Sequence, residues 1–221
     1  MLGIVMLDTR FPRLPGDVGN ARSFSVAVRH RVARGAHPAA VVRGDDPALL
    51  RPFIECGQAL IDEGALALGT SCGFLARWQR ELQAALPVPV WSSSLLELPV
   101  LAEQGLRRCG VITIEAASLT PRHFEAVGAD PATPVEGITP GSALHRTLLE
   151  DRPALDAADA EAQVLAAGRR LLEREPGLDA LVLECTNLPP YARALRAATG
   201  LPVFDVISML HRRMAELTPR A

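Results

Sequence analysis

The stretch GTSCG, residues 69–73, places two nucleophiles side by side. It fits the G-x-S-x-G pattern of the nucleophile elbow of hydrolases, which would make Ser71 the reacting group. The neighbouring Cys72 is the stronger nucleophile and the better proton carrier near neutral pH. The stretch alone leaves both interpretations open.

A second cysteine has closely similar surroundings. The segment ALALGTSC ends at Cys72, and the segment ALVLEC ends at Cys185. Two further pairs of segments recur in the same order, GIVMLDT with GVITIEA and LPVPVW with LPVFDV. The offsets between the paired segments are 107, 113 and 115 residues. Self-similarity at a nearly constant offset predicts two similar half-domains.

The apolar segments predict the fold class. Short runs rich in Val, Ile and Leu precede amphipathic stretches, a pattern typical of parallel βαβ units. We predict an α/β fold with parallel sheets flanked by helices. The predicted strands are 3–7, 65–69, 88–91, 110–114, 178–184 and 201–206, and the predicted helices include 48–63, 74–86, 156–174 and 190–199. Residues 24–32 alternate with period two and fit either an extra strand or a helix.

Each cysteine stands between the end of a predicted strand and the start of a predicted helix. Unpaired N–H groups and the partial positive charge of a helix N-terminus stabilise a thiolate and would lower the thiol pKa by about a unit or more. Ligands of open α/β sheets bind at the carboxyl ends of the strands, so we expect Cys72 and Cys185 to face one cleft.

Two thiols facing one cleft suit a reaction that moves a proton from one face of a carbon to the other. One cysteine would act as a thiolate base while the other donates as a thiol. A substrate carboxylate and its enolate-like transition state need hydrogen-bond donors. Main-chain N–H groups could supply them, together with the polar side chains beside the cysteines, namely Thr70, Ser71, Thr186 and Asn187.

Composition and charge exclude several classes of function. All 23 basic side chains are arginine, so no lysine can form a Schiff base or a Walker-type phosphate site. The histidines and cysteines lack metal-ligand spacing, and we predict neither a metal nor a cofactor. The net charge of −2 predicts no nucleic-acid or membrane partner. We expect a cytoplasmic protein with a small-molecule carboxylate substrate; a homo-oligomer is compatible with the sequence.

Three motifs together give a family resemblance. GTSCGF, ECTN and the early LPGDVGN (14–20) resemble the aspartate/glutamate racemase superfamily, which includes hydantoin racemases, arylmalonate decarboxylase and maleate isomerase. The resemblance spans the whole chain and implies two α/β half-domains related by a pseudo-twofold axis, with the active site between them. For this chain we assign 1–97 with 208–221 to one half and 98–207 to the other, with a last helix at 208–217 returning to the first half.

The resemblance also implies roles for individual residues. Cys72 and Cys185 would be catalytic, and residues next to them would contact the substrate, including Gly73 and Phe74. Further substrate contacts would come from the end of the first strand and its loop, at Asp8, Thr9, Asp17 and Asn20. The other cysteines, Cys56 and Cys109, lack a polar loop context and are interpreted as structural.

One departure from the family pattern bears on the substrate. Amino-acid racemases of this superfamily usually have Cys-Asn-Thr in the first half, whereas this chain has Cys72-Gly73-Phe74. The second half keeps Cys185-Thr186-Asn187. Loss of the polar pair favours a substrate with an apolar part and leaves specificity for aspartate or glutamate open.

The paired cysteines favour a cofactor-independent racemase or epimerase of a small carboxylic or amino acid, or of a hydantoin-like compound. A decarboxylase of the superfamily needs only one cysteine as proton donor, and a cis-trans isomerase uses its thiol to add to a double bond. Two alternatives come from other classes. One is a serine hydrolase using Ser71, although His211 lies in a predicted helix rather than a loop. The other is a ligand-binding module without turnover.

Overall fold

Two parallel four-stranded sheets form the framework of the computed structural model, which describes residues 1–217. The first sheet has the order β2-β1-β3-β4 and the second the order β6-β5-β7-β8. The strands are β1 Leu2–Leu7, β2 Val28–Ala33, β3 Ala67–Thr70, β4 Val90–Trp91, β5 Cys109–Thr113, β6 Val135–Gly137, β7 Ala180–Leu183 and β8 Val203–Phe204. Because the two sheets repeat one topology, the predicted α/β fold with two similar halves is confirmed.

Helices form most of the connections between parallel strands within each sheet, where crossover connections are needed. Within residues 1–217 they are α1 Pro38–Arg43, α2 Leu50–Asp62, α3 Gln79–Ala85, α4 Glu97–Glu103, α5 Pro121–Ala126, α6 Ala143–Leu149, α7 Ala157–Arg174, α8 Ala192–Thr199 and α9 Val206–Leu217. None of these helices has the length and apolar character that crossing a membrane would need.

The two predicted helices that follow the cysteines differ from the prediction. Each begins with 3-10 turns, Gly73–Trp78 before α3 and Pro189–Tyr191 before α8. All six residues of Gly73–Trp78 are buried, so this segment has no solvent face of the kind that an amphipathic helix presents. The open question at residues 24–32 is answered by β2, a strand that pairs in parallel with β1.

The last predicted strand, 201–206, was too long. It ends at Phe204, because Asp205 begins α9 by accepting a hydrogen bond of 2.8 Å from the main-chain N–H of Ser208. Carboxylates are favoured at such helix starts, where they satisfy unpaired N–H groups. The local chemistry of Asp205 therefore overrides the apolar run that predicted a longer strand.

The first and last elements pack together. Met209, Leu210 and Met214 of α9 share an apolar cluster with Leu2 and Ile4 of β1. The buried carboxylate of Glu97 also forms ion pairs with Arg212 and Arg213 of α9. The proposed division into 1–97 with 208–221 and 98–207 stays a prediction, and its residues 218–221 lie outside the described part of the chain.

Candidate active site

The residue before each cysteine extends the sheet in the same way. The main-chain N–H of Ser71 donates to the carbonyl of Val5 over 3.0 Å. In the second half, the N–H of Glu184 donates to the carbonyl of Ile112 over 2.9 Å. Val5 lies in β1 and Ile112 in β5, the equivalent central strands. Each cysteine is therefore placed directly beyond the carboxyl end of its sheet.

A turn closes after each cysteine with equivalent hydrogen bonds. The N–H of Leu75 donates to the carbonyl of Cys72 over 3.2 Å, and the N–H of Leu188 donates to that of Cys185 over 3.0 Å. Both leucines are fully buried and anchor the turns in the core. The repeat seen in the sequence thus extends to the main-chain geometry around the two thiols.

Both cysteines line one cavity between the halves. Each of them is only 6% exposed. The cavity has about 340 Å³ of empty space, including its open mouth. Its lining residues are Leu7, Phe11, Pro38, Val42, Ser71, Cys72, Gly73, Phe74, Ile114, Leu148, Leu149, Cys185, Thr186 and Asn187. The polar groups gather around the thiols, and the other walls are apolar.

The expected lowering of the thiol pKa values is wrong. Burial, and after it the charge of Glu184, raises the pKa of Cys72 to about 12. The same two causes raise the pKa of Cys185 well above its usual value. Main-chain N–H groups of Phe74 and Asn187 act in the opposite direction but are weaker. Both thiols are neutral at pH 7, because desolvation outweighs the N–H groups at the turns.

A chain of hydrogen bonds supports Cys185 from behind. Its thiol donates to Asn187 Oδ1 over 3.6 Å, and Asn187 Nδ2 donates to Asp17 Oδ2 over 2.6 Å. Asp17 Oδ1 accepts from Arg13 Nη1 over 3.1 Å, and Arg13 Nη2 donates to Thr9 Oγ1 over 2.9 Å. Asp17 and Thr9 therefore do not line the cavity but join the loop after β1 to the second cysteine turn.

The threonines beside the cysteines bind main-chain oxygens. Thr186 Oγ1 donates to the carbonyl of Ser71 over 2.7 Å, which connects the two cysteine turns directly. Thr70 Oγ1 donates to the carbonyl of Ser92 over 2.7 Å and lies outside the cavity lining. Thr186 is therefore a cavity-lining residue as predicted, whereas Thr70 lies outside the cavity and fixes the end of β3.

The two remaining predicted contacts lie away from the thiols. Asn20 Nδ2 donates to the carbonyl of Arg13 over 2.8 Å and so shapes the loop after β1. Asp8 accepts from the N–H of Gly35 over 3.1 Å and lines a neighbouring cavity. That cavity shares residues of α1 and α6 with the first one. Neither residue lines the cavity of the two cysteines.

Ser71 has the contacts of a structural serine. Its Oγ accepts a hydrogen bond of 2.8 Å from the N–H of Leu7. His211 lies in α9, as the sequence predicted, and its Nε2 accepts from the N–H of Ser25 over 3.2 Å. Within residues 1–217, no hydrogen bond joins Ser71 to a histidine, so a hydrolase nucleophile lacks its base.

The remaining two cysteines lie outside the cavity lining. Cys56 is half-buried, and its thiol donates to the carbonyl of Val32 over 3.4 Å. Cys109 starts β5, and burial raises its pKa to about 11. Among residues 1–217, no group of three or more His, Cys, Asp or Glu side chains is arranged to hold a metal ion.

Sequence reasoning missed most of the apolar walls and two ionisable groups. The missed lining residues are Leu7, Phe11, Pro38, Val42, Ile114, Leu148 and Leu149. Ile114 follows β5 directly, so the rule that ligands gather at the carboxyl ends of strands could have found it. The two groups are the guanidinium of Arg13, which holds Asp17, and Glu184, a fully buried carboxyl group beside Cys185.

Several known proteins are similar to this chain over nearly its whole length. A dimethylsulfoniopropionate lyase of Emiliania huxleyi is 29% identical, covering 98% of this chain and 67% of the lyase. One from Durusdinium is 29% identical, covering 93% of this chain and 71% of the lyase. A second Emiliania huxleyi lyase is matched over only 59% of its own length.

Solved structures with the same fold include racemases and a decarboxylase. Unliganded arylmalonate decarboxylase has a TM-score of 0.63 at 17% identity, with 98% of this chain and 91% of the other covered. Glutamate racemase of Thermus thermophilus has a TM-score of 0.55 at 22% identity, with coverages of 99% and 83%. Residues 97–214 match the Asp/Glu/hydantoin racemase family. With the duplicated sheets and paired cysteine turns, this match establishes that the chain belongs to the Asp/Glu/hydantoin racemase family.

Proposed function

We propose that this protein is a cofactor-independent racemase or epimerase acting at the α-carbon of a small carboxylic or amino acid, or of a hydantoin-like compound. The observation that carries the proposal is that Cys72 and Cys185, from different halves of the chain, line one cavity. A binding pocket needs no thiol pair, whereas proton transfer on two faces of a carbon needs two acid-base groups.

The proposed reaction consists of two proton transfers. Both thiols are neutral at pH 7, so one cysteine first loses its own proton to solvent. As a thiolate it then takes the α-proton, so that the C–H bond breaks, an S–H bond forms and the electron pair stays on the substrate as an enolate. The other cysteine then donates its proton to the opposite face, which regenerates a C–H bond and leaves a thiolate. The N–H groups of Phe74 and Asn187 stabilise the respective thiolates.

The cavity walls favour a substrate with an apolar substituent. Phe74 stands where many amino-acid racemases of the superfamily have a polar residue, and Phe11 and Leu148 add apolar surface. The proposed carboxylate contacts are Ser71, Asn187 and the main-chain N–H groups of the two turns. Thr9 and Asp17 are proposed as supports of Asn187 through the hydrogen bonds of Arg13, and Thr70 as a support of the first cysteine turn. Asp8 and Asn20 are proposed to shape the loops around the site.

A lyase is the second candidate, because the dimethylsulfoniopropionate lyases match nearly the whole chain. Elimination from such a sulfonium carboxylate would also begin with removal of the α-proton. The electron pair would then expel dimethyl sulfide from the β-carbon and leave acrylate. This reaction uses one thiol as a base and needs no second proton donor.

One NMR experiment in deuterated water separates these candidates. The protein is first dialysed against a chelator, which also tests the predicted independence from metals. It is then incubated with single enantiomers of amino acids, hydantoins and 2-substituted acids, and separately with dimethylsulfoniopropionate. Loss of the α-proton signal with inversion supports the racemase, and formation of acrylate supports the lyase. Tight binding without exchange or product would contradict both and favour a binding module.

A further inference from the structure

Glu184 is a buried carboxyl group for which the proton transfers above provide no role. Its side chain is 0% exposed and lies between the carboxyl end of β7 and Cys185. Oε2 accepts a hydrogen bond of 2.6 Å from Thr113 Oγ1 of β5. Oε1 has no hydrogen-bond partner among the described residues. A fully buried carboxyl with one orphaned oxygen is costly, and such groups are common at functional sites.

The first cysteine turn packs directly on this carboxyl group. A Cβ atom at Gly73 would lie 2.8 Å from Cδ of Glu184, and closer still to Oε1 and to the main-chain oxygen. Only glycine fits at this position without displacing the carboxyl group. Glu184 therefore contacts the residue that follows Cys72 and itself precedes Cys185, so that its charge acts on both thiols.

We propose that Glu184 is a positioning residue whose own proton sets the ionisation of both cavity thiols, a role that rests on the proposed thiol chemistry. A charged Glu184 opposes formation of a thiolate in either half, because two like charges in one desolvated site repel each other. A neutral Glu184 removes this opposition. The protonation state of Glu184 thus changes the pKa values of both thiols together.

The surroundings of Glu184 place its titration near neutrality. Burial raises its pKa to about 7, while the hydrogen bond from Thr113 and the charge of Arg77 act in the opposite direction. The titratable groups that face it are Arg77 and the two thiols. Arg13 also acts on Cys72, and Asp17 on Cys185.

The coupling predicts an unusual pH dependence for both thiols. Below pH 7 the thiolate fraction rises about tenfold per pH unit, as for an isolated thiol. As Glu184 ionises, its charge raises the thiol pKa values, and the thiolate fraction stops rising over the following pH range. Interacting groups titrate as one system, so this flattening of the thiolate fraction is a joint property of Glu184, Cys72 and Cys185.

The test compares wild-type protein with Glu184→Gln, without substrate. Iodoacetamide alkylation is followed at each cysteine by mass spectrometry between pH 5 and pH 9. We expect equal rates at pH 5 and, at pH 9, alkylation of both Cys72 and Cys185 at least about tenfold faster in the variant, if the charge shifts each pKa by one unit. Cys56 serves as the internal control, and its rate should be equal in the two proteins at every pH.

Two further variants test the same carboxyl group without removing it. Thr113→Val deletes the hydrogen bond that lowers the Glu184 pKa and should move the flattening to higher pH, whereas Thr113→Ser should leave it in place. These variants decide the question if Glu184→Gln does not fold. The proposal would be overturned if the ratio of alkylation rates between Glu184→Gln and wild type did not change with pH. It would also be overturned if the flattening occurred at the same pH in Thr113→Val and Thr113→Ser. Absence of α-proton exchange by wild-type protein would instead overturn the proposed function.

Discussion

Asn187 Nδ2 donates a hydrogen bond of 2.6 Å to Asp17 Oδ2 and thereby joins two loops 170 residues apart in the chain. Asp17 is only 3% exposed, and its other oxygen accepts from Arg13 and from the main chain of Gly19. The same Asn187 amide accepts from the thiol of Cys185 through Oδ1. The Asn187 side chain therefore orients the Cys185 thiol and also supplies one of the hydrogen bonds that the buried carboxylate of Asp17 needs.

Replacement of Asn187 by alanine should affect both stability and proton transfer. Asp17 would lose a hydrogen bond in a buried site, and we expect a loss of about 1–3 kcal/mol in the free energy of unfolding. Exchange by the Cys185 thiol should fall about tenfold or more, whereas exchange by Cys72 should change little. Denaturant unfolding and deuterium incorporation into each enantiomer measure the two effects. Asn20→Ala is the control, since Asn20 binds the same loop without touching a thiol.

Replacement of each cysteine in turn by serine should show that each thiol acts on one face of the substrate carbon. Serine is too weak an acid and base to replace a thiol, so interconversion should fall about 10²-fold or more in Cys72→Ser and in Cys185→Ser. Each variant should still exchange the α-proton of one enantiomer, and the two variants should prefer opposite enantiomers. Deuterium incorporation followed by chiral chromatography measures this. Racemisation at the wild-type rate by either variant would contradict the two-thiol mechanism.

Gly73→Ala should destabilise the protein strongly. The added Cβ would overlap with the buried carboxyl group of Glu184 and with its main-chain oxygen, neither of which can move freely. We expect a cost of about 2–3 kcal/mol in the free energy of unfolding, as for overpacked cores. Gly177→Ala is the matched control, because its nearest neighbour is the movable guanidinium of Arg108. Equal unfolding midpoints for the two variants would show that the Gly73 contact is relaxed.

The Glu184 carboxyl should also make the stability of the protein depend on pH. Its pKa is about 7 in the folded state against 4.5 for an unperturbed glutamate, so the folded state binds the proton more tightly. Its stabilising contribution is complete below pH 4.5 and is lost as pH rises through 7. Relative to Glu184→Gln, the wild-type free energy of unfolding should fall by about 3 kcal/mol across this range.

Denaturant unfolding of both proteins at several pH values checks this difference. His123 contributes in the opposite direction, because burial lowers its pKa to about 4 and its effect increases stability as pH rises towards 6.5. That contribution is present in both proteins and cancels in the comparison. A difference that stays constant from pH 4.5 to pH 8 would contradict the buried, titrating carboxyl group.

The sequence by itself determined the α/β fold and the pairing of Cys72 with Cys185. Apolar strands followed by polar turns are encoded by short stretches of sequence. Because these stretches occur twice, the sequence also indicated that the two cysteine turns are equivalent. The same pattern could not predict the 3-10 turns after the cysteines, since burial of all six residues of Gly73–Trp78 is a property of the packed protein.

Only the tertiary structure decided the electrostatics and the walls of the site. The local sequence predicted lowered thiol pKa values, because each cysteine precedes a helix start. Burial of the thiols between the two halves raises these pKa values instead. The local sequence also indicated no role for Glu184, because the contact of this carboxyl group with Gly73 joins residues 111 positions apart. Leu148 reaches the cavity through the packing of α6. Burial and long-range contacts follow from how the two halves close on each other, and no local pattern encodes that closure.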